Sequence, residues 1–315
     1  MTVASKIGKL LPKTLFDYLQ PEFHFYRSKS KLKKRGGTIT YSKIYGGWIL
    51  NIPMPNKKHM IVLARSIKEL ERAVNFGTNK KNLVWKWLNW IDSKNTLYDV
   101  GSANGLEGFS AAHLRSSNVF FIEPYTPSIE TILKTIFLTN MKNKSIGKFE
   151  VIHAACTEKD DYKRLSMHEE PIPGAIKNTY GDRSGYGGRG GRNRKKVYLD
   201  QWTKGISIDS LKYNYKLKAP DYVKIDVDGH ETLVIKGAMK TIAKGTVKSW
   251  AIEINDQSRI NYITKIMKKH GYVVAGDYEH YPGFKPRSID RIFMKKKYLD
   301  SWRNFLNVEL LDKLN

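Results

Sequence analysis

Two rhythms of apolar spacing run along this chain, and they change over near Thr96. From there short apolar runs alternate with helical stripes: residues 97–100 read as a strand, 106–115 as a helix and 119–122 as a second strand. Ile129, Ile132, Leu133, Ile136 and Phe137 recur at helical spacing, and a third strand is expected at 149–154. Further strands are expected at 222–227, 247–254 and 272–275, with helices near 233–242 and 259–270. Strands alternating with helices predict a mainly parallel sheet covered on both faces.

Ahead of Thr96 the pattern is less regular. Ile7, Leu10, Leu11, Leu15 and Tyr18 lie at helical spacing, interrupted by Pro12, so a short basic amphipathic helix is expected there. Such a helix either packs on the main domain, the preferred reading, or makes peripheral contact with a membrane surface. Residues 48–66, broken by Pro53 and Pro55, read as short strands, and 67–76 and 80–91 as helices. The second helix sets Leu83, Val84, Trp87, Leu88 and Ile91 on one stripe, which makes its tryptophans core residues. The expected organisation is a basic extension and cap over 1–95, an α/β domain over 96–300 and a tail helix over 301–315. Within the second unit, residues 181–196 hold six glycines and six Lys or Arg, and 180–197 reads as a flexible Gly/Arg-rich insertion. It is either a basic lid for an anionic substrate or an inert surface loop.

Composition narrows the function classes. With 41% hydrophobic residues the chain can fill a core, and no run of eighteen apolar residues suggests a membrane span. The stretch 1–18 lacks the apolar centre of a secretion signal. Cys156, the one cysteine, excludes an internal disulfide and every multi-cysteine metal cluster, so a cytoplasmic location is expected. The formal charge of +25 steers the protein towards polyanions, although a lysine-biased genome would produce the same excess.

Three motifs carry chemistry. Asp99-Val-Gly-Ser-Ala-Asn-Gly105 stands between a strand and a helix, where Gly101 and Gly105 permit a sharp turn with backbone close to a bound cofactor. Asp99 can accept from a cofactor amine or from the loop backbone. Glu123-Pro124 ends the next strand 24 residues after Asp99, the spacing at which an acidic residue meets a ribose diol. Taken alone, this pair leaves dinucleotide-dependent oxidoreductases open. The third motif, Lys224-Ile-Asp-Val-Asp-Gly-His-Glu231, gathers ionisable side chains at a strand end, where α/β sheets bind ligands. Asp228 and Glu231 also suit a plain helix start.

Together these pieces resemble the FkbM family of S-adenosylmethionine-dependent methyltransferases. The resemblance rests on the glycine turn, on Phe120-Phe-Ile-Glu-Pro124, on Asn140, on Ser207-Ile-Asp-Ser-Leu211, on Asp221 through Glu231 with Lys236-Gly-Ala238, and on Ala251-Ile-Glu-Ile254. It covers about half the chain. Two positions depart from the family pattern: Ala103 followed by Asn104 where the family has Asn two residues before the last glycine, and Asp228 where it has Glu. The resemblance implies a Rossmann-like seven-stranded fold and methyl transfer to a hydroxyl oxygen, commonly of a sugar or polyketide. It implies a cofactor site of Asp99, Gly101, Ala103, Asn104, Gly105, Glu123, Pro124, Ala155 and Asp226.

For that reaction a base must take a proton from a weakly acidic alcohol. His230 suits the task at neutral pH, with Asp226 or Asp228 orienting it and Glu231 beside them. The alternative is Mg²⁺ held by Asp226, Asp228, Glu253 and Asn255 to acidify the hydroxyl. The expected acceptor is a small-molecule or glycan hydroxyl, and basic surroundings favour an anionic one. An RNA ribose 2′-O-methyltransferase is a competing reading, because Lys224 and Asp226 form a lysine-acid pair and the chain is basic. Amino methylation of bases lacks its Asn/Asp-Pro-Pro-Tyr/Phe motif, and Cys156 follows Ala155 rather than the proline of a cytosine-attacking thiolate. A non-catalytic, cofactor-binding adaptor is opposed by the presence of Glu123, Asp226, His230 and Glu231 together. A dehydrogenase is opposed by the absence of a second substrate domain.

Overall fold

The computed structural model describes residues 13–79, 82–142, 146–168, 172–174, 178–181, 197–280 and 288–311. The Gly/Arg-rich run 182–196 and the first part of the amphipathic N-terminal pattern lie outside the described residues. Helix α1 (Lys13–Lys33) leads into a three-stranded antiparallel sheet of β1 (Thr38–Ser42), β2 (Gly47–Pro53) and β3 (His59–Ala64). Helices α2 (Ile67–Asn75) and α3 (Leu83–Trp90) follow, each started by a side-chain cap. Ser66 Oγ accepts from Glu69 N at 3.2 Å, and Asn82 Oδ1 accepts from Trp85 N at 2.8 Å. The basic run after Ser30 closes α1, and Arg35 donates to the Val74 and Phe76 carbonyls at the end of α2.

This first part does not stand apart. Leu50, Met60, Val62 and Leu70 share one buried cluster with Leu106, Phe109, Phe121 and Ile132 of the following units, so α2 packs against the main sheet and α4. Trp87 is fully buried, as expected, and its indole N–H donates to Ser249 Oγ at 3.0 Å.

The main sheet is built from β4 (Thr96–Val100), β5 (Asn118–Glu123), β6 (Phe149–His153), β11 (Tyr222–Ile225), β12 (Ser249–Ile254), β13 (Tyr272–Glu279) and β14 (Ile289–Lys295). Their order is β13-β14-β12-β11-β4-β5-β6. The five strands from β12 to β6 pair in parallel, whereas β14 runs antiparallel to both β12 and β13. The sheet is therefore mixed: the parallel core is the expected one, and β14 is a strand that the sequence reading did not contain. Helices α4 (Leu106–Arg115) and α5 (Thr126–Lys142) connect the first three strands, while α9 (Gln257–Lys269) leads into β13. Successive strands run outward from β4 in opposite directions, to β5 on one side and β11 on the other, which opens a crevice at their carboxyl ends.

A second sheet, also absent from the sequence reading, has the order β7-β10-β8-β9, from β7 (Ala155–Cys156), β8 (Asp161–Met167), β9 (Asn178–Tyr180) and β10 (Leu199–Ile206). Its inner side packs Leu165, Met167 and Tyr180 with Tyr125 and Ala155 beside the crevice. After α6 (Ile208–Tyr213), the helix expected over 233–242 is broken into α7 (Glu231–Lys236) and α8 (Met239–Lys244). Gly237 marks the break, since a Cβ there would stand 2.1 Å from the Thr157 carbonyl oxygen. A single-turn 3₁₀ segment (Lys296–Tyr298) and α10 (Leu299–Leu311) end the described chain. Among the described residues no helix is long and apolar enough to cross a membrane.

Candidate active site

The crevice is a cavity of about 800 Å³, within the range that encloses a cofactor-sized ligand. Its floor is the turn after β4. Gly101 N donates to the Ile122 carbonyl at 2.9 Å, and Ser102 Oγ donates to the Asp99 carbonyl while accepting from Ile122 N. These bonds staple the turn to β5. Gly101 has φ +73°, and a Cβ there would lie 1.8 Å from the Asp226 carbonyl oxygen, so no larger residue fits. Ala103 takes φ +48°, a left-handed conformation that costs an L-residue about 1–2 kcal/mol. That conformation aims its N–H at Glu123 Oε2, 2.8 Å away.

Glu123 is buried at the end of β5, and Tyr125 N donates to its other oxygen at 2.9 Å. Burial pushes its carboxyl up to about 7, with the two backbone donors and Lys224 pulling against that and Asp99 adding to it. Each oxygen keeps a lone pair for a further donor. Pro124 and Ala155 continue the same wall. Asn104 also borders the cavity; its Nδ2 is buried and has no hydrogen-bond partner among the described residues.

Asp99 does not border the cavity. It lies fully buried behind the turn, where its Oδ2 accepts from Gly108 N at 3.1 Å, so it takes the backbone role and not the cofactor-amine role. Gly105, at φ +78°, caps the start of α4 and, like Asp99, does not border the cavity. Beside them the buried Lys224 ammonium donates to the Gly101 carbonyl at 3.2 Å and stands 3.4 Å from Asp99 and 3.6 Å from Asp226. Burial alone would depress its pKa, but Asp99, Asp226 and Glu107 outweigh burial and hold it above the usual lysine range.

The turn after β11 brings Asp226, Asp228 and His230 to the cavity wall, together with Glu253 from the end of β12. Asp228 is left-handed at φ +50°, and His230 is the residue that precedes α7. Glu231 and Asn255, expected at the reacting end, turn inward instead. Glu231 is fully buried, accepts from Gly229 N at 2.7 Å and lies 3.6 Å from Arg259, which makes it the brace of the turn. Asn255 Nδ2 donates to Glu231 at 3.5 Å, so of the four oxygen donors considered for Mg²⁺ only Asp226, Asp228 and Glu253 share the wall.

Sequence reasoning missed one side of the site. Lys68, Glu71, Arg72 and Asn75 of α2 recur at helical spacing and face the cavity, joined by Phe76. In a sequence such a stripe is indistinguishable from a solvated helix face, so nothing marked it.

Among solved structures, an FkbM methyltransferase from Methylobacillus flagellatus KT is similar over 87% of this chain at 14% identity and a TM-score of 0.43; this chain spans 60% of that one. The precorrin-6y C5,15-methyltransferase of Geobacter metallireducens GS-15 gives 10% identity over 67% of this chain and 85% of its own, with a TM-score of 0.36. TrmK of M. capricolum, solved with S-adenosyl-homocysteine, gives 10% identity over 69% and 68% of the two chains and a TM-score of 0.39. No curated protein matches the sequence. The sequence profile of the Methyltransferase FkbM domain matches residues 43–274, well over half of the chain, and the protein belongs to that family.

Proposed function

We propose that this protein transfers a methyl group from S-adenosylmethionine to a hydroxyl oxygen of a sugar or glycan that carries negative charge. The observation that carries this reading is one cavity whose wall holds both Glu123, with a lone pair open on each oxygen, and His230 with Asp226 and Asp228. The residues fit the cofactor: Glu123 accepts from a ribose diol, and the unpartnered Asn104 Nδ2 suits a carboxylate. Pro124 and Ala155 offer the adenine an apolar wall. When bound, the cofactor supplies an activated methyl group. His230 accepts the proton of the acceptor hydroxyl, Asp226 or Asp228 orients the imidazole, and Lys68 and Arg72 on α2 attract the acceptor's negative charge.

Calorimetry with S-adenosylhomocysteine, followed by label transfer from S-adenosylmethionine to a panel of acidic and nucleotide-linked sugars, tests the reading. His230→Ala is expected to keep product binding within about twofold and to lose roughly 100-fold or more in turnover. Full activity in that variant would eliminate the base. Mg²⁺ on Asp226, Asp228 and Glu253 is the competing way to acidify the hydroxyl, and activity unchanged by EDTA would eliminate it.

One observation favours RNA as the acceptor. On the outer face of the second sheet, Trp202 pairs with Arg164 and Lys204 with Tyr162, and the two rings are 67% and 69% exposed. Exposed rings interleaved with cations suit stacked bases and phosphates. A salt-sensitive gel shift with single-stranded RNA, weakened by Trp202→Ala, would move the assignment to RNA. No shift would retain the glycan.

A further inference from the structure

At the far edge of the same strand ends, three side chains converge that the methyl-transfer reading does not use together. The β12–β14 register sets Glu253 directly opposite Asp290. Two carboxylates facing each other across an antiparallel pair repel. Beyond β13 the ladder continues as His280 N donates to the Ser288 carbonyl, which brings the His280 ring to the same place. One ligand atom from each of Glu253, His280 and Asp290 lies within 4.8 Å of the others.

We propose that Glu253, His280 and Asp290 form a binding site for a divalent transition-metal ion of the Mn²⁺ or Zn²⁺ class. Asp290 is only 4% exposed, and its Oδ1 lies 3.1 Å from His280 Nε2. Ser288 Oγ donates to Glu253 Oε1 at 3.1 Å, the kind of outer hydrogen bond that orients a metal-binding carboxylate. The trio sets two carboxyl groups against one imidazole, and Asp226 and Asp228 share the cavity wall with Glu253. Among the described residues, the neighbouring Lys224 is already shared between Asp99 and Asp226. A bound cation balances the charge of these carboxylates without a proton.

The donor set selects the cation. One imidazole nitrogen with two carboxylates suits Mn²⁺, Fe²⁺ or Zn²⁺, whereas Mg²⁺ favours oxygen ligands and retains its waters. Three protein ligands leave a coordination position open, and Glu253 borders the cavity, so that position is reachable from it. The His280 side chain, about a quarter exposed, has room to close the trio onto an ion.

The test uses the full chain stripped with EDTA and titrated with MnCl₂, ZnCl₂ and MgCl₂ in a calorimeter, without cofactor or acceptor. One site is expected, at least about tenfold tighter for Mn²⁺ and Zn²⁺ than for Mg²⁺. That site should weaken at least about tenfold in His280→Ala and in Asp290→Asn, with circular dichroism checking that each variant folds. On the unaltered protein, pulsed EPR of bound Mn²⁺ should show coupling to one imidazole nitrogen, which keeps the proposal testable should a variant misfold. No binding, equal affinity for Mg²⁺, affinity unchanged in His280→Ala, or Mn²⁺ without nitrogen coupling would each overturn it. None of these readouts depends on methyl transfer, so the site and the proposed reaction fail separately.

Discussion

Glu123 and Glu253 carry the same side chain, each near the carboxyl end of a strand in one sheet and on the wall of one cavity, yet their surroundings are opposite. Glu123 is met by two backbone N–H groups that the β4 turn aims at it. Glu253 is desolvated by burial and met by Asp226, Asp290 and Asp228, with the Ser288 hydroxyl donating to it. Backbone donors cannot move away or titrate, so they fix a carboxylate as a standing acceptor for hydroxyl groups. A crowd of carboxylates fixes nothing until positive charge arrives. One glutamate is a finished grip, and the other is half of an unfinished site.

Replacing each by its amide breaks this comparison most sharply. In Glu123→Gln a single amide oxygen remains, so one of the Ala103 and Tyr125 N–H groups must face an NH₂ group in a buried place. Such an orphaned donor costs about 1–3 kcal/mol in stability. A ribose hydroxyl loses a charged acceptor at the same time, and the affinity for S-adenosylhomocysteine should fall by roughly tenfold to 100-fold. In Glu253→Gln a carboxyl whose ionised form burial and its acidic neighbours already disfavour becomes a neutral amide, and Ser288 can still donate, so in EDTA stability should hold or rise by about 1 kcal/mol at most, read as the melting temperature. Differential scanning fluorimetry of both variants, with calorimetry for the ligand, decides the matter. Equal losses in the two would mean that the neighbours do not distinguish them.

How much of this was legible beforehand follows the same division. Glu123 is readable because its partners are local: the glycine turn and the next strand end lie within one β-α-β unit, and the spacing from Asp99 reports the geometry. The Asp226–His230 turn is readable for the same reason. Asn255 shows the limit of that logic, since its position in the chain is right but its side chain turns towards Glu231. His280 and Asp290 become neighbours of Glu253 only through the reversed strand β14, whose register no local pattern encodes. The α2 face is a third case: its polar stripe looks solvated, and only its packing against α4 and the sheet turns it towards the cavity. The second sheet escaped because β10 carries few apolar side chains and buries only its last part.

The pH dependence of folding sharpens the comparison more gently. Burial lifts Glu69, Glu123 and Glu231 each to about 7, so between the unfolded value near 4.5 and 7 the folded chain holds more protons than the unfolded one. Stability is then fully present below about pH 4.5 and declines as pH rises through 7. His113, depressed by burial, acts in the opposite direction, but it is one group against these three and against Asp99, Glu107, Glu253 and Asp290, which burial also raises. Carboxylates held low, such as Asp92 and Asp161, are lost only in stronger acid. The ligand-free protein should melt a few degrees higher at pH 5.5 than at pH 8, and Glu123→Gln should remove part of that difference. A melting temperature that rises with pH across this window would show that the three glutamates are ionised in the fold.

The smallest effect isolates what aims the Glu123 grip. Ala103 delivers its N–H only by holding φ at +48°, the conformation where the family carries asparagine, a residue that tolerates left-handed backbone better than alanine does. Ala103→Gly removes the steric cost of about 1–2 kcal/mol but gives the unfolded chain extra freedom worth about 0.4–1 kcal/mol. The net expectation is a gain below about 1 kcal/mol, read as a slightly higher urea midpoint at unchanged slope. Affinity for S-adenosylhomocysteine should stay within about twofold, because the donor is the backbone and glycine keeps it. A midpoint lowered by Ala103→Gly would mean that the methyl group's own contacts, and not the direction of its N–H, are what the turn needs at this position.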